Sequence, residues 1–176
     1  MTESVVRQDP PGTLAEREMI KAFLDYHRLT LAQKVAGLSG EQAISRSTAS
    51  ELTLLGLVRH MTEVERGWIA EEFGDGYGTE SGPAELPPLY CRPDAPDADF
   101  DELDAGLVEQ NLATWRAEIA RTDGIVAIRS LDDTIHSERR GPLSLRWVLW
   151  HVFEEYARHN GHADIIRESI DGVVGE

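Results

Sequence analysis

A chain of 176 residues with 41% apolar and 28% charged side chains is long enough for one hydrophobic core and too apolar for wholesale disorder. A formal charge of −15 argues against a nucleic-acid or anionic-membrane surface, since phosphate backbones need net cationic patches, and leaves small molecules as the expected partners. No apolar run reaches the roughly 18 residues of a membrane span, and the N-terminal MTESVVRQDPPG lacks the basic start and apolar core of a signal peptide, so a cytoplasmic protein is expected.

Apolar residues recurring at helical steps predict four long helices and an all-α fold. The first covers about residues 14–36, with Met19, Ile20, Phe23, Leu24, Leu31 and Val35 on its inner face, and Gly37 stops it. His27 within it reads as a structural residue. Thr48-x-x-Glu51 has the spacing of a capping box and opens a second helix over about 48–73, ended by GDGYG. Glu63 and Glu65 on it read as solvated or paired.

A connection over about 74–98 follows, with four glycines and five prolines, a length that marks a functional or mobile loop. It contains Cys91, the only cysteine, which rules out an internal disulfide and a multi-thiolate metal site. The third helix is expected over about 99–122, with Leu103, Leu107, Leu112, Trp115 and Ile119 inside. The second long connection, about 124–141, holds GIVAIRSL, the one strand-like run, then His136, also read as structural, and Arg139-Arg140. Ser144 caps the last helix, about 144–170, and Asp171-Gly172 breaks it. The chain therefore reads as a single four-helix-bundle domain over residues 1–176 with two long connections.

The last helix carries the chemistry. At about 100° per residue, and with Glu155 as the origin, Val148 and Ile166 fall near +20°, Val152 near +60° and Ala163 near +80°. His159, His162 and His151 fall near +40°, −20° and −40°, so three imidazoles flank one carboxylate in a sector about 80° wide. With Asp164 and Arg167 taken to mark the exposed side, this polar sector faces inward. Buried carboxylates and imidazoles need partners. Glu155 and His159 stand one turn apart, a spacing that lets two side chains grip one ion. On the second helix His60 shares a stripe with Leu57, Val64 and Trp68 and points to the same core. Two nitrogens and one oxygen are a donor set typical of catalytic zinc sites with an open position; a hydrogen-bonded polar layer is the alternative.

The blocks LTLLGLVRHMTEVERGW and LRWVLWHVFEEYARHNGHADIIRESIDG resemble the DinB/YfiT-like superfamily of four-helix-bundle metalloproteins, in the actinobacterial branch related to mycothiol-dependent maleylpyruvate isomerase. The likeness runs over about residues 14–172. It implies a divalent metal on His60, Glu155 and His159, with zinc first and nickel or manganese as alternatives. It also implies a low-molecular-weight thiol such as mycothiol as cosubstrate, in isomerisation or S-transfer on a small electrophile. Two neutral imidazoles and one carboxylate leave a zinc ion net positive charge, enough to deprotonate a thiol near neutral pH. His151 and His162 are then candidates for support of the ligands or for proton transfer. Arg139, Arg140 and Arg146 are candidates for a substrate carboxylate. A metal-binding bundle without catalysis and a metal-dependent hydrolase use the same ligands, and a homodimer is left open.

Overall fold

The computed structural model describes residues 7–175. Four long helices form the bundle: α1 (Glu16–Val35), α3 (Leu54–Glu65), α5 (Val108–Ile128) and α6 (Leu145–Asp171). Two short helices, α2 (Gly40–Ala43) and α4 (Ala98–Asp101), lie in the connections, and α3 runs on as a π-helical turn over Arg66–Glu71. A hairpin of β1 (Thr134–Ser137) and β2 (Gly141–Ser144) precedes α6, pairing Ile135 with Leu143. The principal packings are α1 on α6 and α3 on α5, and α3 also meets α6. No helix among the described residues is long and apolar enough to cross a membrane.

Three helix ends differ from the sequence expectation. Helix α3 begins at Leu54 rather than near 48, because Thr53 is its cap and accepts from the Gly56 amide at 3.0 Å. Thr48 instead accepts from the Ser50 amide at 3.2 Å, a local turn of the kind that competes with helix formation. The third helix does not start at 99. Arg59 takes the carbonyls of Ala98, at 2.8 Å, and Glu102, which ends α4, and Asp104 then opens a 3₁₀ turn over Ala105–Leu107 ahead of α5. GIVAIRSL does not form a strand. Most of it continues α5 to Ile128, where Arg17 from α1 holds the carbonyls of Val126 and Arg129. The strands lie further on, where Ile135 and Leu143 are buried opposite each other.

Both ends of α6 agree with the sequence: Ser144 accepts from the Trp147 amide at 3.2 Å, and Gly172 ends the helix at φ 78°, a left-handed conformation natural to glycine.

The core holds one large polar element. Arg28 on α1 grips Glu65 on α3 with two bonds of 2.8 and 2.9 Å, and Glu65 also accepts from Thr122 at 2.7 Å and Tyr156 at 3.0 Å. The Trp115 indole donates to the Tyr156 oxygen at 2.9 Å, so this network ties α1, α3, α5 and α6 together. Glu65 is wholly buried and paired, not solvated.

Candidate metal centre

Three helices build the candidate site. One ligand atom from each of His60, Glu155 and His159 lies within 4.8 Å of the others, close enough for one cation to reach all three. His60 projects from α3, and the other two stand one turn apart on α6. Short helix α4 braces His60. The Asp99 carboxylate is 3.0 Å from His60 Nδ1, and the Phe100 ring stacks on the imidazole with centroids 4.9 Å apart. Gly56 allows this approach, since a Cβ there would stand 3.0 Å from the Phe100 ring.

The long connection before α4 is therefore a brace. Its Tyr90 and Cys91 amides donate to Glu63 on α3 at 2.6 and 3.2 Å, which seats the loop one turn from His60. The Cys91 thiol is pushed up to about 11 by burial, with the Asp99 and Glu63 carboxylates adding to the effect, so it is not a nucleophile at neutral pH.

Glu155 is the least satisfied member. Its nearest partners are His159 Nε2 at 3.4 Å, Arg158 at 3.6 Å and His151 Nε2 at 3.8 Å, all longer than a good hydrogen bond of about 2.7–3.2 Å. Such a carboxylate beside two imidazoles fits a divalent cation better than it fits a closed polar layer. His159 is held down to about 4 by burial and by the His60, His162 and Arg158 charges, so it is a neutral nitrogen donor at pH 7. Its Nδ1 lies 3.4 Å from His162 Nδ1, which leaves Nε2 on the Glu155 side.

The sector does not face the middle of the core, as the sequence suggested. Arg167 is buried, reaching the Lys34 and Ala36 carbonyls at 2.9 Å, and Asp164 pairs with Lys34 at 2.7 Å. The open side of α6 carries Trp147, Trp150, Glu154, Arg158 and Ile165, at about −60° to −140° from Glu155. The buried stripe covers about +20° to +140°, so Glu155 sits on the border between core and solvent and His159, near +40°, just inside it. Exposures of 14%, 15% and 12% for the His151, Glu155 and His159 side chains follow from that position.

This chain matches the mycothiol-S-transferase family model over residues 19–172. It belongs to the mycothiol-S-transferase family. The family implies an S-transferase with mycothiol as cosubstrate, on the DinB/YfiT-like fold, and fits the His/His/Glu donor set just described. A crystal structure of a conserved protein from Enterococcus faecalis superposes with a TM-score of 0.64 at 13% identity, covering 92% of this chain and 100% of that one, which supports the fold. Sequence comparison with curated proteins gives no match.

The remaining residues singled out by sequence are spread more widely. His151 lies between two indoles, 4.6 Å from Trp68 and 5.1 Å from Trp147 between centroids. Arg140 covers the same pair, 5.7 and 5.5 Å from their centroids. Arg139 is exposed, and Arg146 is engaged by Glu16 at 2.8 Å and Asp132 at 2.5 Å. His27 contacts Asn160 at 3.1 Å inside the bundle, and His136 is exposed on β1. Asp99 was missed by sequence reasoning, since its partner His60 is 39 positions away and no spacing rule joins them.

Asp99→Asn is expected to weaken metal binding about 10–100-fold without unfolding the protein, since a carboxylate behind an imidazole sets its tautomer and basicity. A zinc titration by competition with a chromophoric chelator reads this directly, and an unchanged affinity would mean that Asp99 is only a structural contact.

Proposed function

We propose that this protein transfers a small electrophilic group to the sulfur of mycothiol at the centre formed by His60, Glu155 and His159. The observation that carries this reading is the convergence of the three donors at a solvent border, in a chain of this family. A divalent metal held by them, zinc first, would supply the positive charge that lowers the pKa of a thiol brought to the site.

The surrounding side chains divide the remaining work. Asp99 fixes the His60 ring through Nδ1, while His162 stands beside His159 Nδ1 at a looser 3.4 Å. His151, whose Nε2 faces Glu155 between the two tryptophans, accepts the thiol proton when sulfur bonds to the electrophilic carbon. With an alkyl halide the departing group leaves with the electron pair of its bond to that carbon; with an epoxide or an activated alkene the pair stays on the substrate's oxygen or carbon, which takes back the proton from His151. Arg140, at the hairpin tip above the same indoles, is placed to hold an anionic end of the electrophile. Arg146 is already neutralised by two carboxylates and contributes less.

The test is an S-conjugation assay by mass spectrometry with mycothiol and a panel of alkyl halides, epoxides and activated alkenes. Wild-type protein loaded with zinc is expected to form conjugates, and His151→Ala to retain metal yet lose about 10²–10⁴-fold in rate. Tight metal binding with no turnover on any electrophile would favour a non-catalytic metal-binding bundle.

A further inference from the structure

Arg59 on α3 carries a buried charge that no carboxylate answers. It is 7% exposed, and its guanidinium takes the carbonyls of Ala98, at 2.8 Å, and Glu102. Its Nε has no hydrogen-bond partner, and the side chain forms no ion pair among the described residues. A guanidinium offers five donors, and a buried cation held only by carbonyl dipoles still favours an anion. Arg59 lies over the Tyr90 ring, 4.2 Å from its centroid, and lines a pocket of about 290 Å³ between Leu89, the 3₁₀ turn and the start of α5. That volume is near the lower end of the roughly 300–1,000 Å³ of small-ligand sites. The pocket shares no residue with the candidate metal centre.

The rest of the lining supplies acceptors and an apolar flank. Asn111 on α5 is also 7% exposed; its amide nitrogen donates to the Leu107 carbonyl at 2.8 Å, which leaves Oδ1 as an acceptor with no bond among the described residues. Asp104 stands at the rim, with Oδ1 on the Gly106 amide at 2.8 Å and its other oxygen unbonded among the described residues. Glu102 borders the pocket too, but Arg92 grips its carboxylate, with one bond of 2.8 Å, and offsets its charge. Leu89 and Leu107, each 42% exposed, flank the opening. A simple anion here would face Asp104 and a simple cation would face Arg59, whereas a zwitterion satisfies both.

We propose that this pocket binds a free α-amino acid with an aliphatic side chain. The carboxylate accepts from Arg59, the ammonium donates to Asn111 Oδ1 and Asp104, and the side chain covers Leu89 and Leu107. The site stands apart from the S-transfer reading, because none of its residues is used there.

Calorimetric titration of the protein with L-leucine tests it. Leucine is expected to bind, while leucinamide, which lacks the carboxylate, and 4-methylpentanoate, which lacks the ammonium, each bind about tenfold more weakly. Arg59→Lys, Asp104→Asn and Leu107→Ala should each weaken leucine by several-fold to about tenfold. The last two change exposed side chains, and asparagine keeps an oxygen for the Gly106 amide, so they read the site even where Arg59→Lys disturbs the fold. Amino acids also coordinate metal ions, so leucine binding must persist in His159→Ala, and its loss there would place the amino acid on the metal instead. No heat of binding up to roughly 10 mM leucine, ten times a millimolar Kd, would overturn the proposal. So would 4-methylpentanoate binding as tightly as leucine, or leucine binding that neither Asp104→Asn nor Leu107→Ala alters.

Discussion

Arg28→Ala is expected to lower the stability of the fold by about 3–5 kcal/mol. The reason is not the loss of an attraction alone. Glu65 is wholly buried, and without the guanidinium its charge would keep only the hydroxyls of Thr122 and Tyr156. Burial works against the Arg28 charge too, but Glu65, Tyr156 and Asp123 outweigh it and raise the arginine above its ordinary range. Each ion therefore depends on the other. Replacing both, as in Arg28→Met with Glu65→Leu, should recover much of the loss, because a matched apolar pair leaves no unpaired charge. Urea unfolding followed by circular dichroism decides the matter. A loss below about 1 kcal/mol for Arg28→Ala would mean that water reaches Glu65 once the arginine is gone.

His159→Ala should remove bound metal and thiol-dependent turnover together while the bundle stays folded. The side chain stands at the border of the core, 12% exposed, so its loss opens a solvent-facing gap and not a sealed cavity. It is also neutral well below pH 7, so at neutral pH it gives up no proton to bind a cation. Elemental analysis of wild-type protein after gentle purification is expected to give about one divalent ion per chain, and the variant close to none. Glu155→Gln keeps the shape and removes the charge, and should therefore bind the metal more weakly. Wild-type metal content in both variants would remove these residues from the ligand set.

Much of this protein is legible in its sequence. The helical periodicity of α1, α3, α5 and α6 follows from local spacing, as do the Ser144 cap and the Gly172 stop. Glu155 and His159 could be paired because one helical turn separates them, and His60 could be added because it shares a stripe with core residues. These are relations within single helices, and a linear sequence encodes them directly.

What only the tertiary structure decided depends on contacts between segments. Which of Thr48 and Thr53 caps α3 turned on competing turns, and the end of α4 turned on Arg59 reaching its carbonyls. The rotation of α6 about its axis does not follow from charge alone, because a charged residue on it is buried. Arg167 is long enough to bury its stem and satisfy the end of α1, which turns the candidate ligands from the core centre to its edge. Asp99 behind His60, the indoles around His151 and the pocket beside Arg59 join residues far apart in the chain. Periodicity assigns each side chain a face on its own helix, whereas the partner it meets there is set by the packing of all the helices together.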